Sequence, residues 1–265
     1  MNQLQNARRI VVKVGTSTLT YGNGRLNLRR IEGLARVLSD IKNSGRELLL
    51  VTSAAIGVGT GQLGLRERPR DVGGKQAAAA VGQCELMYTY DKQFSEYGHI
   101  TAQVLLTRDV VEDERRKQNV VNTFSRLLEF GVLPIVNEND TVATEELEFG
   151  DNDTLSAIVA TLADADALIM LTDIDGLYDA DPRRHPEARR IPVVETIDDK
   201  LLALAEGAGS TLGTGGMITK LHAAQIATAA GIPTVIMNGD RPENLYDLLE
   251  GQPIGTIFTV KEAGI

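Results

Sequence analysis

Short apolar runs rich in β-branched residues alternate along this 265-residue chain with longer stretches of helical period. Arg9-Ile-Val-Val-Lys-Val-Gly15 is the first such run, and it has the composition of a buried strand closed by glycine. Glu47-Leu-Leu-Leu-Val-Thr52, Ile100 to Leu106, Val132 to Val136, Ala167 to Leu171, Thr234 to Met237 and Thr256 to Phe258 repeat the signal. Asn27 caps a stretch from Leu28 to Asn43 in which Ile31, Leu34, Ala35, Leu38 and Ile41 recur on one helical face. Further helices are predicted from Gly74 to about Tyr97, from Glu112 to Phe130 with Gly131 as the stop, and from Thr154 to Leu162. Three more run from Asp198 to about Ala205, from Leu221 to Ala230 and from Pro242 to about Leu249. Strand and helix alternate throughout, which predicts the α/β class: an open, mostly parallel sheet sandwiched between helices. No linker, internal repeat or low-complexity stretch divides the chain, so residues 1–265 read as one domain.

Composition narrows this picture. Hydrophobic residues make up 43% and charged residues 24%, as in ordinary globular domains. The net charge of −9 argues against a broad nucleic-acid-binding surface. Any anionic ligand must be held by locally placed bases and backbone dipoles. Cys84 is the only cysteine, which excludes an internal disulfide and is expected to act as a small buried hydrophobe. No apolar run approaches the roughly 20 residues of a membrane span. Met1 to Arg9 has no apolar signal-peptide core. The expectation is a cytoplasmic protein with no membrane partner.

Candidate chemistry gathers where the predicted strands end. Lys13 interrupts the first strand; a buried lysine there calls for an anionic partner, unless it snorkels at a sheet edge. Gly15-Thr-Ser-Thr18 follows with N–H and hydroxyl donors. Ser53 to Gly61 reads as a loop of small residues after the second strand, the usual ligand position in an open α/β sheet. Gly59, Gly61 and Gly64 spell G-x-G-x-x-G, but the match starts several residues after the strand and no helix continues it. A substrate-covering loop fits better than a dinucleotide fingerprint. Asn137-Glu-Asn-Asp140 and Gly150-Asp-Asn-Asp153 flank a hairpin-like stretch, Thr141 to Phe149. Asn152 or Asp153 could simply cap the next helix. Two Asn/Asp clusters around one hairpin suit an amino-acid ligand, with carboxylates for its ammonium and amides for its carboxylate.

Asp173-Ile-Asp175-Gly176 and Asp179-Ala-Asp181-Pro182 lack the third acid and distal Glu of a calcium loop and read as turns. His99, His185 and His222 have no metal-ligand spacing. Gly213-Thr-Gly-Gly-Met-Ile-Thr-Lys220 runs into a helix. Its glycines can turn N–H groups toward an anion, the helix N-terminus is positive, and Lys220 adds a full charge. The spacing is not that of a P-loop, and a plain glycine-rich turn is the alternative. The clusters after strands one, two and four fall in residues 1–165; Thr172-Asp173 and the Gly213 to Lys220 loop fall in residues 166–265. That division suggests a small substrate in front and a nucleotide behind.

With these residues assembled, the chain resembles the glutamate 5-kinases of the amino acid kinase family over essentially its whole length. The likeness rests on Val12-Lys-Val-Gly-Thr-Ser17, Val51 to Gly57, Pro134 to Asp140, Gly150 to Asp153, Leu171-Thr-Asp173 and Gly213 to Lys220. The resemblance is to the short form, without the C-terminal PUA domain that many members carry. It implies ATP-dependent phosphorylation of the γ-carboxylate of L-glutamate, the first step of proline biosynthesis. By that resemblance Lys13 and Lys220 neutralise the transferring group and Asp153 holds the two lysines. Gly15, Thr16 and Gly57 offer backbone donors. Ser53, Asp140 and Asn152 hold glutamate, with Asn137 and Asp151 beside them. Thr172, Asp173, Thr214, Gly215, Gly216, Met217, Ile218, Thr219 and Lys220 line the nucleotide site. Mg²⁺ would bridge the phosphates of ATP with few direct protein ligands. The likeness further implies feedback inhibition by proline and a homo-oligomer, dimer or tetramer. Other carboxylate, carbamate or UMP kinases of this fold, and a non-catalytic amino-acid sensor, are the competing readings.

Overall fold

The computed structural model describes residues 2–143, 151–182, 184–206 and 216–260. Among these residues the strands are β1 (Arg9–Val14), β2 (Glu47–Val51), β3 (Thr101–Leu106), β4 (Leu133–Glu138), β5 (Ala167–Thr172), β6 (Val193–Val194), β7 (Thr234–Asn238) and β8 (Thr256–Phe258). The helices are α1 (Asn2–Gln5), α2 (Thr16–Leu19), α3 (Leu28–Asn43), α4 (Ala55–Gln62), α5 (Val72–Ser95), α6 (Asp109–Glu112) and α7 (Glu114–Glu129), then α8 (Asn152–Leu162), α9 (Asp199–Glu206), α10 (Met217–Ala229) and α11 (Asn244–Leu249). They build one eight-stranded sheet in the order β3-β4-β2-β1-β5-β7-β8-β6. The six strands from β3 to β7 in that order are parallel; β8 runs antiparallel to β7, and β6 pairs parallel with β8. The mostly parallel sheet agrees with the sequence reading. The two-residue β6 and the reversal of β8 carry no periodic signal and were not anticipated.

Strand alternation sorts the core into two layers. Ile10, Val12 and Val14 of β1, with Leu48 and Leu50 of β2, pack with α3, α5 and α11. Val11, with Leu49 and Val51, packs on the opposite face with α7, α8 and α10. The same rule puts Lys13 on the α8/α10 face, and Thr52 and Asn137 on the α5 face. Both faces are covered by helices, as parallel sheets require. Asn27 accepts a hydrogen bond from the Arg30 amide and starts α3, whose Ile31, Leu34, Ala35, Leu38 and Ile41 are all buried.

Three expectations need correction. The stretch after Ser53 is helix α4 rather than a loop. Its glycines are poor helix formers, but Gly59 lets α5 approach closely, and that packing outweighs propensity. A Cβ at Gly59 would lie 1.8 Å from the Ala78 carbonyl oxygen, and one at Gly82 would lie 1.8 Å from that of Ala55. Of the apparent dinucleotide fingerprint, Gly59 thus serves the packing on α5, Gly61 lies against the Gly24 backbone, and Gly64 takes a positive φ after the helix. The predicted Glu112 to Phe130 helix is α7 and starts two residues later, because Asp113 turns extended and caps it through the Arg116 amide; Glu112 instead ends the short α6. Cys84 is exposed on the outer face of α5, not buried.

Candidate active site

The carboxyl ends of β1, β2, β4 and β5 meet at one edge of the sheet, where the chain leaves each strand through polar residues. At its centre lies an ion triplet. Lys13 Nζ stands 2.6 Å from Asp153 Oδ1, and Lys220 Nζ stands 3.0 Å from Asp153 Oδ2. The side chains of Lys13, Asp153 and Lys220 are 8%, 1% and 8% exposed, so none of these charges is cushioned by bulk water. Thr219 Oγ1 donates to the same Oδ2 at 2.8 Å. Strand alternation sends Lys13 toward α8 and α10, whose first turns carry Asp153 and Lys220. Burial by itself would push the Asp153 carboxyl upward. The Lys13 and Lys220 charges, with hydrogen bonds from Lys13 and Thr219, overcome that and hold it well below the usual carboxylate range. The triplet carries one net positive charge in a chain of net charge −9.

On the β2/β4 side the site is built from amides. Asn152, first residue of α8, donates from Nδ2 to the Thr52 carbonyl and to Asn137 Oδ1, the latter at 2.8 Å. Asn137 Nδ2 donates in turn to Gln83 Oε1 at 2.8 Å. Ala54, at φ 81, turns the chain from β2 into α4 in a left-handed conformation that a residue with a Cβ adopts only at a cost. Val58 N is the first amide bonded back to Ala54 O. The amides of Ala55, Ile56 and Gly57 therefore have no intrahelical acceptor. Ser53 Oγ donates to Val14 O at 3.0 Å and lies 3.3 Å from Thr16 Oγ1, tying the ends of β1 and β2 together.

On the β5 side lies a cleft. Thr172, Asp173, Gly216 and Lys220 form its polar end, and Ile174, Leu177, Leu204, Ala205 and Met217 form apolar walls. Gly216 is the N-cap of α10 and supplies no side-chain cap, so the first amides of that helix remain available to an anion.

Most of the predicted residues come together here. Lys13, Asp153 and Lys220 form the triplet, and Gly15 follows Lys13 so closely that a Cβ on it would lie 3.8 Å from Lys13 Nζ. Ser53, Gly57, Asn137 and Asn152 surround the amide side, and Thr172, Asp173, Gly216 and Met217 line the cleft. Some have duties that the sequence did not announce. Asp151 is the N-cap of α8, accepting from Thr154 N at 2.8 Å. Thr219 supports Asp153, and Ile218 packs against the core rather than lining the cleft. Asp140 sits half-buried in the turn after β4. Thr214, Gly215 and most of the expected hairpin, residues 144–150, lie outside the described residues. Sequence reasoning passed over Gln83 and the cleft walls Ile174, Leu177, Leu204 and Ala205. Gln83 is a polar residue among small apolar neighbours of α5, which was its one available signal.

Residues 8–238 match the amino acid kinase family. A glutamate 5-kinase from Clostridium perfringens is 57% identical over 263 residues, 98% of this chain and 98% of that one. A glutamate 5-kinase from Listeria monocytogenes is 53% identical, covering 98% of this chain and 95% of its own length. Among solved structures, the isopentenyl phosphate kinase of T. acidophilum, in a product complex, superposes with a TM-score of 0.65 at 18% identity. The match covers 94% of this chain and 99% of that one. The UMP kinase of Bacillus anthracis gives a TM-score of 0.65 at 15% identity over 97% of each chain. At these identities the structural likeness speaks for the fold alone.

Proposed function

This chain belongs to the amino acid kinase family, and we propose that it transfers the γ-phosphoryl group of ATP to the γ-carboxylate of L-glutamate. The products are L-glutamyl 5-phosphate and ADP, and the reaction is the first step of proline biosynthesis. The observation that carries this reading is the buried Lys13–Asp153–Lys220 triplet, placed between an amide-rich pocket and an apolar cleft.

The chemistry asks little else of the protein. A γ-carboxylate has a pKa of about 4.3 and is already ionised at neutral pH, so no general base is needed. One of its oxygens bonds to the γ-phosphorus as the bond to the β,γ-bridging oxygen breaks, and the electron pair leaves with ADP. Positioning and charge neutralisation then do most of the catalysis. Lys13 and Lys220 approach the transferring group from β1 and α10. Asp153 is a positioning residue: it fixes both ammonium groups without touching the phosphate. Gly15 and the first amides of α10 supply further donors, with Thr16 at the mouth. The cleft receives the nucleotide, with Thr172 and Asp173 at its polar end. Ser53, Gly57, Asn137, Asp140 and Asn152 receive the glutamate. The domain thus divides near residue 165 into a glutamate half and a nucleotide half.

Among the described residues no group of three or more His, Cys, Asp or Glu could hold a metal. Mg²⁺ is proposed to arrive on the ATP phosphates, where it would neutralise phosphate charge. Proline shares the α-carboxylate and ammonium of glutamate and is proposed as a competing ligand of the same pocket; inhibition that excess glutamate fails to relieve would refute this. A homo-oligomer is proposed from the outer face of α5, where Ala77, Ala80, Cys84 and Tyr88 are exposed together, and sedimentation measures it. The described residues include no helix long and apolar enough to cross a membrane, in keeping with a proposed cytoplasmic site of action.

Hydroxylamine converts an acyl phosphate to a coloured hydroxamate. The purified protein with ATP, Mg²⁺ and glutamate should yield it. Hydroxamate from aspartate or acetylglutamate in preference to glutamate would point to another carboxylate kinase, and ATP-dependent turnover of none of them to a sensor.

A further inference from the structure

Gln76, Gln83 and Tyr90 stand seven residues apart on α5, so they share one face of that helix. Each reaches a different element of the amide-rich side. Gln76 Nε2 donates to the Ala143 carbonyl at 3.2 Å, just beyond the Asp140 turn. Gln83 Oε1 accepts from Asn137 Nδ2 on β4. The Tyr90 and Thr52 hydroxyls are hydrogen-bonded at 2.9 Å, at the end of β2.

The middle contact ends a chain of amides whose directions are not free. A backbone carbonyl only accepts, so Asn152 must turn its Nδ2 toward Thr52 O. The second proton of that Nδ2 goes to Asn137 Oδ1. Asn137 must then turn its own Nδ2 toward Gln83, and Gln83 must answer with oxygen. At the other end, both Asn152 protons are spent. Its Oδ1 accepts no hydrogen bond from the described residues and lies at a partly exposed position beside the amide pocket. Gln83 is 8% exposed, and its Nε2 is buried with no partner among the described residues. A flip of the Gln83 amide could not cure this, because it would set two NH₂ groups against each other. The fold therefore keeps Gln83 in an orientation that leaves a buried donor unmade, an expensive arrangement that calls for an explanation.

We propose that Gln83 is a positioning residue for amino-acid recognition: it locks Asn137, and through it Asn152, so that Asn152 Oδ1 is offered as an acceptor to the ammonium group of the substrate. The assignment rests on the glutamate kinase reading above. The Thr52 carbonyl sets the amide directions, and Gln83 holds Asn137 in place from behind, through a helix that does not itself touch the ligand.

The test compares wild type, Gln83→Leu and Gln83→Glu in the hydroxamate assay with glutamate and with glutarate, which lacks the ammonium group. In Gln83→Leu the Asn137 donor loses its acceptor, so Asn137 is no longer tied to α5 and holds Asn152 in place less firmly, although the Thr52 carbonyl still sets the amide directions. KM for glutamate should rise roughly tenfold, the worth of about one buried hydrogen bond. The preference for glutamate over glutarate should shrink by the same factor, with kcat and KM for ATP unchanged. Gln83→Glu keeps an acceptor facing Asn137 and should restore most of both. A leucine variant with wild-type KM and wild-type discrimination, or a glutamate variant no better than leucine, overturns the assignment. If thermal unfolding shows the leucine variant to be misfolded, Gln83→Glu must keep the discrimination and Gln83→Asn, one methylene too short to reach Asn137, must lose it. Wild-type protein that makes no hydroxamate from glutamate would remove the underlying reading instead.

Discussion

The two sides of the carboxyl edge are built by different means. On the β2/β4 side, recognition is directional: Thr52, Asn137 and Asn152 are joined by hydrogen bonds with fixed donors and acceptors, and Gln83 anchors the chain from behind. On the β5 side the walls are mostly apolar, with Ile174, Leu177, Leu204, Ala205 and Met217, and polar groups such as Thr172, Lys220, Tyr178 and Asp181 join them. The first suits a small zwitterion that must be held in one orientation. The second suits a large ligand with an apolar body and a charged tail, which burial can hold and helix amides can aim. Asp153 belongs to both. It receives Lys13 from the sheet and Lys220 from α10, so the seam between the sides is electrostatic.

The harshest way to break this division is at the seam. Asp153→Asn would take from the buried Lys13 and Lys220 the carboxylate that both contact. Removing one partner of a buried pair costs about 3–5 kcal/mol, and denaturant unfolding should register a loss of that order. The variant should also impair the handling of both substrates, since both depend on the lysines. The pH dependence follows from the lowered Asp153 pKa. Its folded value lies below the unfolded value of about 3.9, so its stabilisation is fully present above that pH. Stability should thus differ between wild type and Asp153→Asn by a constant amount at neutral pH. The difference should fall only as acid enters the range between the unfolded and folded values.

Lys13→Ala and Lys220→Ala should each lower kcat by roughly 10²-fold or more, the usual cost of losing one preorganised charge-stabilising group, with KM for glutamate little changed. Steady-state kinetics of the two variants measures this. Near-normal kcat in both would dissolve the seam.

The strands and the charged centre were legible in the sequence for a shared reason. Lys13 breaks an otherwise apolar run, and a buried charge demands a partner wherever it falls. What alternation could not reveal was which face Lys13 took, since that depends on where α8 and α10 pack. The α4 region was misread because propensity argues against a helix containing Gly57, Gly59 and Gly61. Only the close approach of Gly59 to α5 and of Gly61 to the Gly24 backbone makes two of those glycines an asset. Asp151, Asn152 and Asp153 were seen as one polar cluster. The fold gives them three tasks: a helix cap, an amide link and the centre of an ion triplet. The cleft walls were invisible because Leu204 and Met217 look like ordinary core residues until the ends of α9 and α10 are brought together.

The mildest probe sharpens the comparison from the apolar side. Met217→Ala should raise KM for ATP a few-fold, the worth of about 1 kcal/mol of partly buried apolar surface, while KM for glutamate stays unchanged. An equal rise for both substrates would mean that the cleft and the amide pocket are not separate.

The division itself is tested most directly by Asn152→Ala, in initial rates measured over a full matrix of glutamate and ATP concentrations. Asn152 carries the amide chain and touches nothing in the apolar cleft. KM for glutamate should rise at least about tenfold, from the loss of a ligand hydrogen bond and of the links to Thr52 and Asn137, with KM for ATP essentially at its wild-type value. Parallel increases in both constants, or an effect on ATP alone, would contradict the account.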